Sequence, residues 1–176
     1  MSLLTKDQFI ERLKSIKLLA LDVDGVLTDD SIYFGPDGLE MKKFNISDGF
    51  FMVLAMRSGL ELAIVSGRYS TATDTRMKDL GVKHVMQGKK SKVGMITPLL
   101  EELKIKFEDI AFVGNEILDI PLAQKSGLPI AVADASNELV KHVNYQTEKL
   151  GGHGAVREVL ECYFKAVNLN PQDFIL

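Results

Sequence analysis

Two rhythms of apolar residues run through this chain. Short unbroken apolar runs alternate with stretches whose apolar residues fall three and four apart. The first run, Leu18-Leu19-Ala20-Leu21, is apolar on both faces, as a strand inside a parallel sheet must be. Similar runs predict strands over 61–65, 84–86, 110–113 and 128–133, with 143–147 as an edge strand. Between them the spacing predicts helices. Thr5-Lys6-Asp7-Gln8 has capping-box spacing and opens a short helix carrying Phe9, Ile10, Leu13 and Ile16. A second helix is expected to be capped by Ser47 or Asp48 and to run to Gly59. Others fall over 70–80, 92–104 and 119–125, and from Ser136. Pro98 is expected to kink the helix over 92–104 or to delay its start. An amphipathic helix over 155–167 closes the pattern.

Strands and helices therefore alternate, which argues an α/β fold: a doubly wound, Rossmann-like, mostly parallel sheet in a single domain. One segment breaks the alternation. The runs 31–34 and 39–44 flank Gly35-Pro36-Asp37-Gly38, a hairpin signal. The hairpin follows the first strand directly, so it projects from the sheet's carboxyl edge. Ligands bind at that edge in open α/β sheets.

Composition narrows the function. A net charge of −3 gives no reason to expect nucleic acid or an acidic membrane as partner. No apolar run reaches the roughly 18 residues of a membrane-spanning helix, and no secretory signal is visible. Cys162 is the single cysteine, so no internal disulfide can form. A cytoplasmic protein is expected.

The candidate chemistry lies just after the strands. Asp22 and Asp24 are two apart on a strand and point the same way. Two such carboxylates repel unless a cation or a proton separates them. Ser66, Lys92 and the Asn115/Glu116/Asp119 cluster also follow strands, so the fold brings them to the same edge. Oxygen donors in that number suit Mg²⁺. A carboxylate can act as nucleophile, and a hydroxyl and a cation can hold the equatorial oxygens of a transferring phosphoryl group. Asp24 then suits general acid and base work.

Asp22-Val23-Asp24-Gly25-Val26-Leu27-Thr28-Asp29, Ser66-Gly67-Arg68, Lys92 and Gly114-Asn115-Glu116 with Asp119 resemble the four motifs of the haloacid dehalogenase-like phosphatases, in order. Phe44-Asn45-Ile46-Ser47-Asp48-Gly49, Gln87-Gly88, Ala131-Val132-Ala133-Asp134-Ala135 and the stretch from Gly151-Gly152-His153-Gly154 to Glu158 resemble its capless subfamily. That subfamily includes the 3-deoxy-D-manno-octulosonate 8-phosphate phosphatases. The resemblance implies Asp22 as nucleophile and metal ligand. It implies Asp24 as acid/base and, through its backbone carbonyl, as a second ligand of Mg²⁺, with Asn115 as the third. Ser66 and Lys92 would hold the phosphoryl group. Asn45, Ser47, Asp48, Gly49, Arg68 and Arg76 match positions that contact the sugar acid. The resemblance also implies a homotetramer acting on an anionic sugar phosphate.

Two positions depart from the pattern. Asn115-Glu116 stands where the family usually has two aspartates, which removes a charge from the metal site. The same Gly-Asn-Glu variant resembles the phosphatase-like domain of animal CMP-sialic acid synthetases, so a weakly active assembly module is a rival reading. Val53 stands where relatives often carry a basic residue, and Arg57, one helical turn on, is a candidate replacement. A nonulosonate 9-phosphate is the rival substrate. His84, His142 and His153 have no ligand spacing and are expected to be structural, as are Cys162 and Arg157. The glycines of 151–154 form either an anion cradle at a helix start or a tight turn. Lys89 and Lys90 read as a solvated loop, and Asp119 as an anchor for Lys92.

Overall fold

The computed structural model describes residues 3–175 of the 176-residue chain. In chain order its strands are β1 (Leu18–Leu21), β2 (Tyr33–Phe34), β3 (Glu40–Met41), β4 (Glu61–Ser66), β5 (His84–Gln87), β6 (Ile110–Gly114), β7 (Leu128–Ala131) and β8 (Tyr145–Gln146). Six of them form one sheet in the order β5-β4-β1-β6-β7-β8, and every pairing in it is parallel. β2 and β3 form the separate antiparallel hairpin. Nothing else lies between β1 and the next helix, so no cap domain is inserted there.

The helices are α1 (Lys6–Leu13), α2 (Ile46–Arg57), α3 (Thr71–Leu80), α4 (Lys92–Leu103), α5 (Ile120–Ala123), α6 (Asn137–Val140) and α7 (Ala155–Ala166). Side chains alternate across β1, and each face has its own core. Leu19 and Leu21 join Phe9, Met52, Met77, Val159 and Phe164, so α1, α2, α3 and α7 cover one face. Leu18 and Ala20 join Ile96, Leu100, Leu122 and Leu139, so α4, α5 and α6 cover the other. A strand sandwiched this way cannot carry a polar residue until it leaves the sheet. Leu18 pairs with both Glu61 and Ile110, and Leu21 with both Ile64 and Val113. The three central strands thus end within two residues of one another, and the loops that follow start side by side.

Three local readings need correction. α2 is capped by Asn45, whose side chain accepts from the amides of Ser47 (2.8 Å) and Asp48 (3.2 Å), not by Ser47 or Asp48. Asp48 is buried and caps a different helix. It accepts from the amides of Gly154 (3.3 Å) and Arg157 (2.7 Å) at the start of α7. Pro98 does not delay α4, because Ser91 fixes the helix start by accepting from the Gly94 amide at 3.0 Å.

The glycine run before α7 proves to be a close-packed turn. The Gly152 amide donates to the Val26 carbonyl at 2.8 Å, and a Cβ on Gly151 would collide with the Gly25 backbone. The turn therefore backs the loop that carries Asp22 and Asp24. Glu158, which sequence reasoning passed over, holds this corner. It is buried and accepts from the Tyr145 hydroxyl (3.1 Å) and from the amides of Glu148 and Lys149. Arg157 pairs with Glu161 at 2.8 Å and lies over the Phe51 ring, a structural role as expected.

Asp48→Ala removes the acceptor for two amides of α7 and is expected to cost about 2 kcal/mol. Urea unfolding checks this; an unchanged midpoint would deny Asp48 its structural role.

Candidate active site

Asp22 is the first residue past β1. Its amide still donates to the Val113 carbonyl (3.1 Å), so the strand ladder fixes its backbone. The chain then turns sharply: the Val23 carbonyl accepts from the amides of Val26, Leu27 and Thr28, and Gly25 sits at a φ of +75°. This turn presents Asp22 and Asp24 into a cavity of about 480 Å³. Ser66, Arg68, Lys90, Lys92, Asn115 and Glu116 also line it, arriving from the ends of β4, β5 and β6 as the parallel sheet requires.

Lys92 opens α4 and is buried. Its ammonium lies 2.8 Å from Asp22 Oδ2 and also pairs with Asp119. Asp119 is fully buried, and its other oxygen accepts from the amides of Asn115 (2.8 Å) and Glu116 (3.1 Å). Asp119 is therefore the anchor for Lys92 and, at the same time, the brace for the β6 loop. The fit is close: a Cβ on Gly114 would lie 2.6 Å from Asp119 Oδ2, so glycine is needed there. Ser66 is buried at the end of β4, its hydroxyl donating to the Arg68 carbonyl at 3.0 Å.

Asp24 faces the hairpin. Its carboxylate pairs with Lys42 and, at 3.3 Å, with Arg68 Nε. Arg68 is bidentate to Glu40, which also accepts from the Ser70 hydroxyl at 2.7 Å. Sequence reasoning missed Lys42 and Glu40. The available signal was their alternation: residues two apart in a strand share a face, and Glu40 and Lys42 carry opposite charges there.

The donor set fits Mg²⁺. Among the described residues no protein hydrogen bond occupies the Asp24 carbonyl or the Asn115 side-chain amide, and both residues line the same cavity as Asp22. No trio of His, Cys, Asp or Glu side chains is grouped for a metal among the described residues. A cation here would draw on the Asp24 carbonyl and the Asn115 amide oxygen besides Asp22, an all-oxygen set suited to a hard ion.

Of the positions matched to sugar-acid contacts, only Arg68 reaches this cavity, together with Asp24 and Lys92. Asn45 and Asp48 are used as helix caps. Asn45 and Ser47 border a second cavity with His153 and Arg157, and Arg76 a third beside the hairpin. Gly49 lets the Arg76 side chain pack onto α2. Within one chain these residues stand apart from Asp22. Val53 and Arg57 line a cavity with Gly59 and Glu61, by the start of β4, and Arg57 donates to the Phe174 carbonyl at 3.0 Å. Within one chain Arg57, like Val53, lies outside the Asp22 cavity. His84 pairs with Glu61, His142 with Gln124 and His153 with the Gly151 carbonyl, all outside it.

Burial, and then the Asp119 charge, push Asp22 up to about 7 against the pull of Lys92. Between about pH 4 and 7 the folded, metal-free protein holds a proton that the unfolded chain releases, so its stability falls as pH rises through that window. Asp22→Asn is expected to flatten the slope of urea midpoint against pH in chelator; an unchanged slope would assign it to another group. Lys92→Met leaves two buried carboxylates without their cation and is expected to cost about 3–5 kcal/mol. Ser66→Ala, losing one hydrogen bond, is expected to cost about 1 kcal/mol in the same assay.

Comparison with known proteins agrees with this geometry. The haloacid dehalogenase-like hydrolase family matches residues 81–160. The 3-deoxy-D-manno-octulosonate 8-phosphate phosphatase KdsC of Escherichia coli (strain K12) is 43% identical over 157 residues, covering 89% of this chain and 84% of that protein. The corresponding phosphatase of Yersinia pestis superposes with a TM-score of 0.88 at 38% identity, over 91% of this chain and 86% of that one. That of Moraxella catarrhalis, solved with magnesium, phosphate and KDO, superposes with a TM-score of 0.90 at 36% identity, over 96% of each chain. With its four motifs gathered on one cavity and these relatives matched along nearly its whole length, the chain belongs to the haloacid dehalogenase-like hydrolases, as a phosphatase of the capless 3-deoxy-D-manno-octulosonate 8-phosphate phosphatase subfamily.

Proposed function

We propose that this protein hydrolyses 3-deoxy-D-manno-octulosonate 8-phosphate to KDO and phosphate with Mg²⁺. The observation that carries the proposal is the convergence of Asp22, Asp24, Ser66, Lys92 and Asn115 on one cavity. The Moraxella relative bound to magnesium, phosphate and KDO supports the choice of ligand. In the first step an Asp22 oxygen attacks phosphorus, the ester P–O bond breaks, and the leaving alkoxide takes a proton from Asp24. In the second, Asp24 takes a proton from water, which attacks the aspartyl phosphate and frees Asp22 and inorganic phosphate. Ser66 and Lys92 donate to the equatorial oxygens. Asp22, the Asp24 carbonyl and Asn115 would hold Mg²⁺, which would supply positive charge to the transferring phosphoryl group.

Lys92 keeps the nucleophile oriented through the 2.8 Å contact with Asp22, and Asp119 keeps Lys92 in place. Arg68 is the substrate cation that the cavity itself offers. The other matched positions, Asn45, Ser47, Asp48, Gly49 and Arg76, are proposed to act on the sugar acid only through assembly. The exposed apolar residues of the hairpin and of α2, among them Phe34, Leu39 and Ile46, support a homotetramer as the working form. We place this single-domain enzyme in the cytoplasm. None of the described helices is long and apolar enough to cross a membrane.

Asn115 favours one second reading, a weakly active assembly module, because an amide brings no charge to the cation. Phosphate release from a panel of phosphorylated sugar acids separates the readings. The octulosonate 8-phosphate is expected to be turned over best, ahead of nonulosonate 9-phosphates, with Asp22→Asn abolishing release. Asn115→Asp is expected to lower the Mg²⁺ concentration needed for half-maximal rate about tenfold, a charge-assisted gain of roughly 1.4 kcal/mol. Release no faster than Asp22→Asn on every substrate would leave the assembly reading standing.

A further inference from the structure

Lys42 lies outside all of the recognised motifs, yet it pairs directly with Asp24. It lies on the hairpin just past β3, 18 residues from Asp24 in sequence, and its side chain is only 1% exposed. A lysine buried that fully needs a paired anion, since an uncompensated ammonium costs several kcal/mol. Asp24 is that anion, and Glu40 lies 3.9 Å away. The local fold explains how the hairpin reaches so far. Phe44 bridges to Thr28, which ties the hairpin's return strand to the loop carrying Asp24. Alternation then puts Glu40 and Lys42 on the Asp24 side, while Lys43 turns away to pair with Asp29 at 3.3 Å.

The remaining partners converge on the same carboxylate. Arg68 Nε takes the second Asp24 oxygen, and Glu40 holds Arg68 and Ser70. Asp24 is therefore restrained from two sides by elements distant in sequence: the hairpin and the loop after β4. Among the described residues nothing comparable restrains it from the side of Asp22. Lys92, the cation of that side, is committed to Asp22 and Asp119.

Building on the phosphatase reading above, we propose that Lys42 is a positioning residue: it holds the Asp24 carboxylate in the orientation from which it protonates the leaving alkoxide. The hairpin is then part of the catalytic apparatus through a charge it delivers, beyond any role of its surface. The reacting atoms are those of the first step above. Asp22 forms the new P–O bond, the ester P–O bond breaks, and the proton passes from Asp24 to the alkoxide. Lys42 exchanges no proton and touches no substrate atom in this scheme.

A leaving group's need for a proton supplies the test. An alkyl phosphate expels a strongly basic alkoxide and depends on Asp24, whereas p-nitrophenyl phosphate expels a stable phenolate and does not. We expect Lys42→Met to lower kcat/KM about 30-fold for the sugar-acid phosphate and for a plain alkyl phosphate without a carboxylate, within the range general acid catalysis supplies. The loss with the sugar acid should fall on kcat and leave KM within twofold. For p-nitrophenyl phosphate kcat/KM should change less than threefold, and Lys42→Arg should recover most of the loss. An equal loss on all three substrates would make Lys42 merely structural and overturn the proposal. A loss confined to the carboxylated substrate, carried by KM, would make it a substrate contact and overturn it equally, as would no loss at all. The wild-type enzyme against Asp22→Asn is run alongside. If those two do not differ, the phosphatase reading itself has failed, which is a distinct result.

Discussion

The buried triad of Asp22, Lys92 and Asp119 is the constraint around which the rest of the structure is arranged. Two carboxylates this close in a nonpolar setting cannot both be ionised without a cation between them. Lys92 is that cation, and it comes from the first residue of α4, where a helix start can be placed accurately by its Ser91 cap. Because each partner belongs to a different strand-end loop, the triad ties β1, α4 and the β6 loop together at the sheet's carboxyl edge. It also leaves Asp22 poised rather than satisfied. Burial raises it, Lys92 lowers it, and a divalent cation would complete its neutralisation.

The scaffold meets that demand mainly with backbone. Strands in register bring three loops side by side, and the turn at Gly25 is backed by Gly151 and Gly152 at a distance that admits no side chain. Asp48 and Glu158 then fix the far side of that support by accepting backbone amides around the start of α7. Buried acids used in this way look catalytic by residue type and burial. Their partners show otherwise, since each is saturated by amides and faces no cavity shared with Asp22.

Much of this was legible in the sequence because parallel sheets convert order into position. A run apolar on both faces must be buried, and a polar residue at its end must emerge at one edge. Asp22, Ser66, Lys92 and Asn115 were therefore placeable together without coordinates. What was not legible depends on contacts between elements far apart in the chain. Asp48 sits where a cap of α2 is expected, but Asn45 serves there, and Asp48 reaches a helix more than a hundred residues on. Alternation pairs Lys42 with Glu40 but does not say which face meets Asp24; that direction is set by the bridge between Thr28 and Phe44. Positions 53 and 57 lie together by the start of β4, outside the Asp22 cavity, and Arg57 is held there by the Phe174 carbonyl.

The two carboxylates of the opening strand end as chemically different groups, and the structure shows why. Asp22 is gripped from within by Lys92, a cation shared with Asp119. Asp24 is gripped from outside by Lys42 and Arg68, cations shared with Glu40. Each acid thus has its own cation and its own second carboxylate, and the two sets meet only at the cavity between them. Such a division gives each acid its own electrostatic surroundings, although the two are a single residue apart. It also puts the distinction between them under the control of the hairpin, the one element that the alternating α/β pattern does not account for.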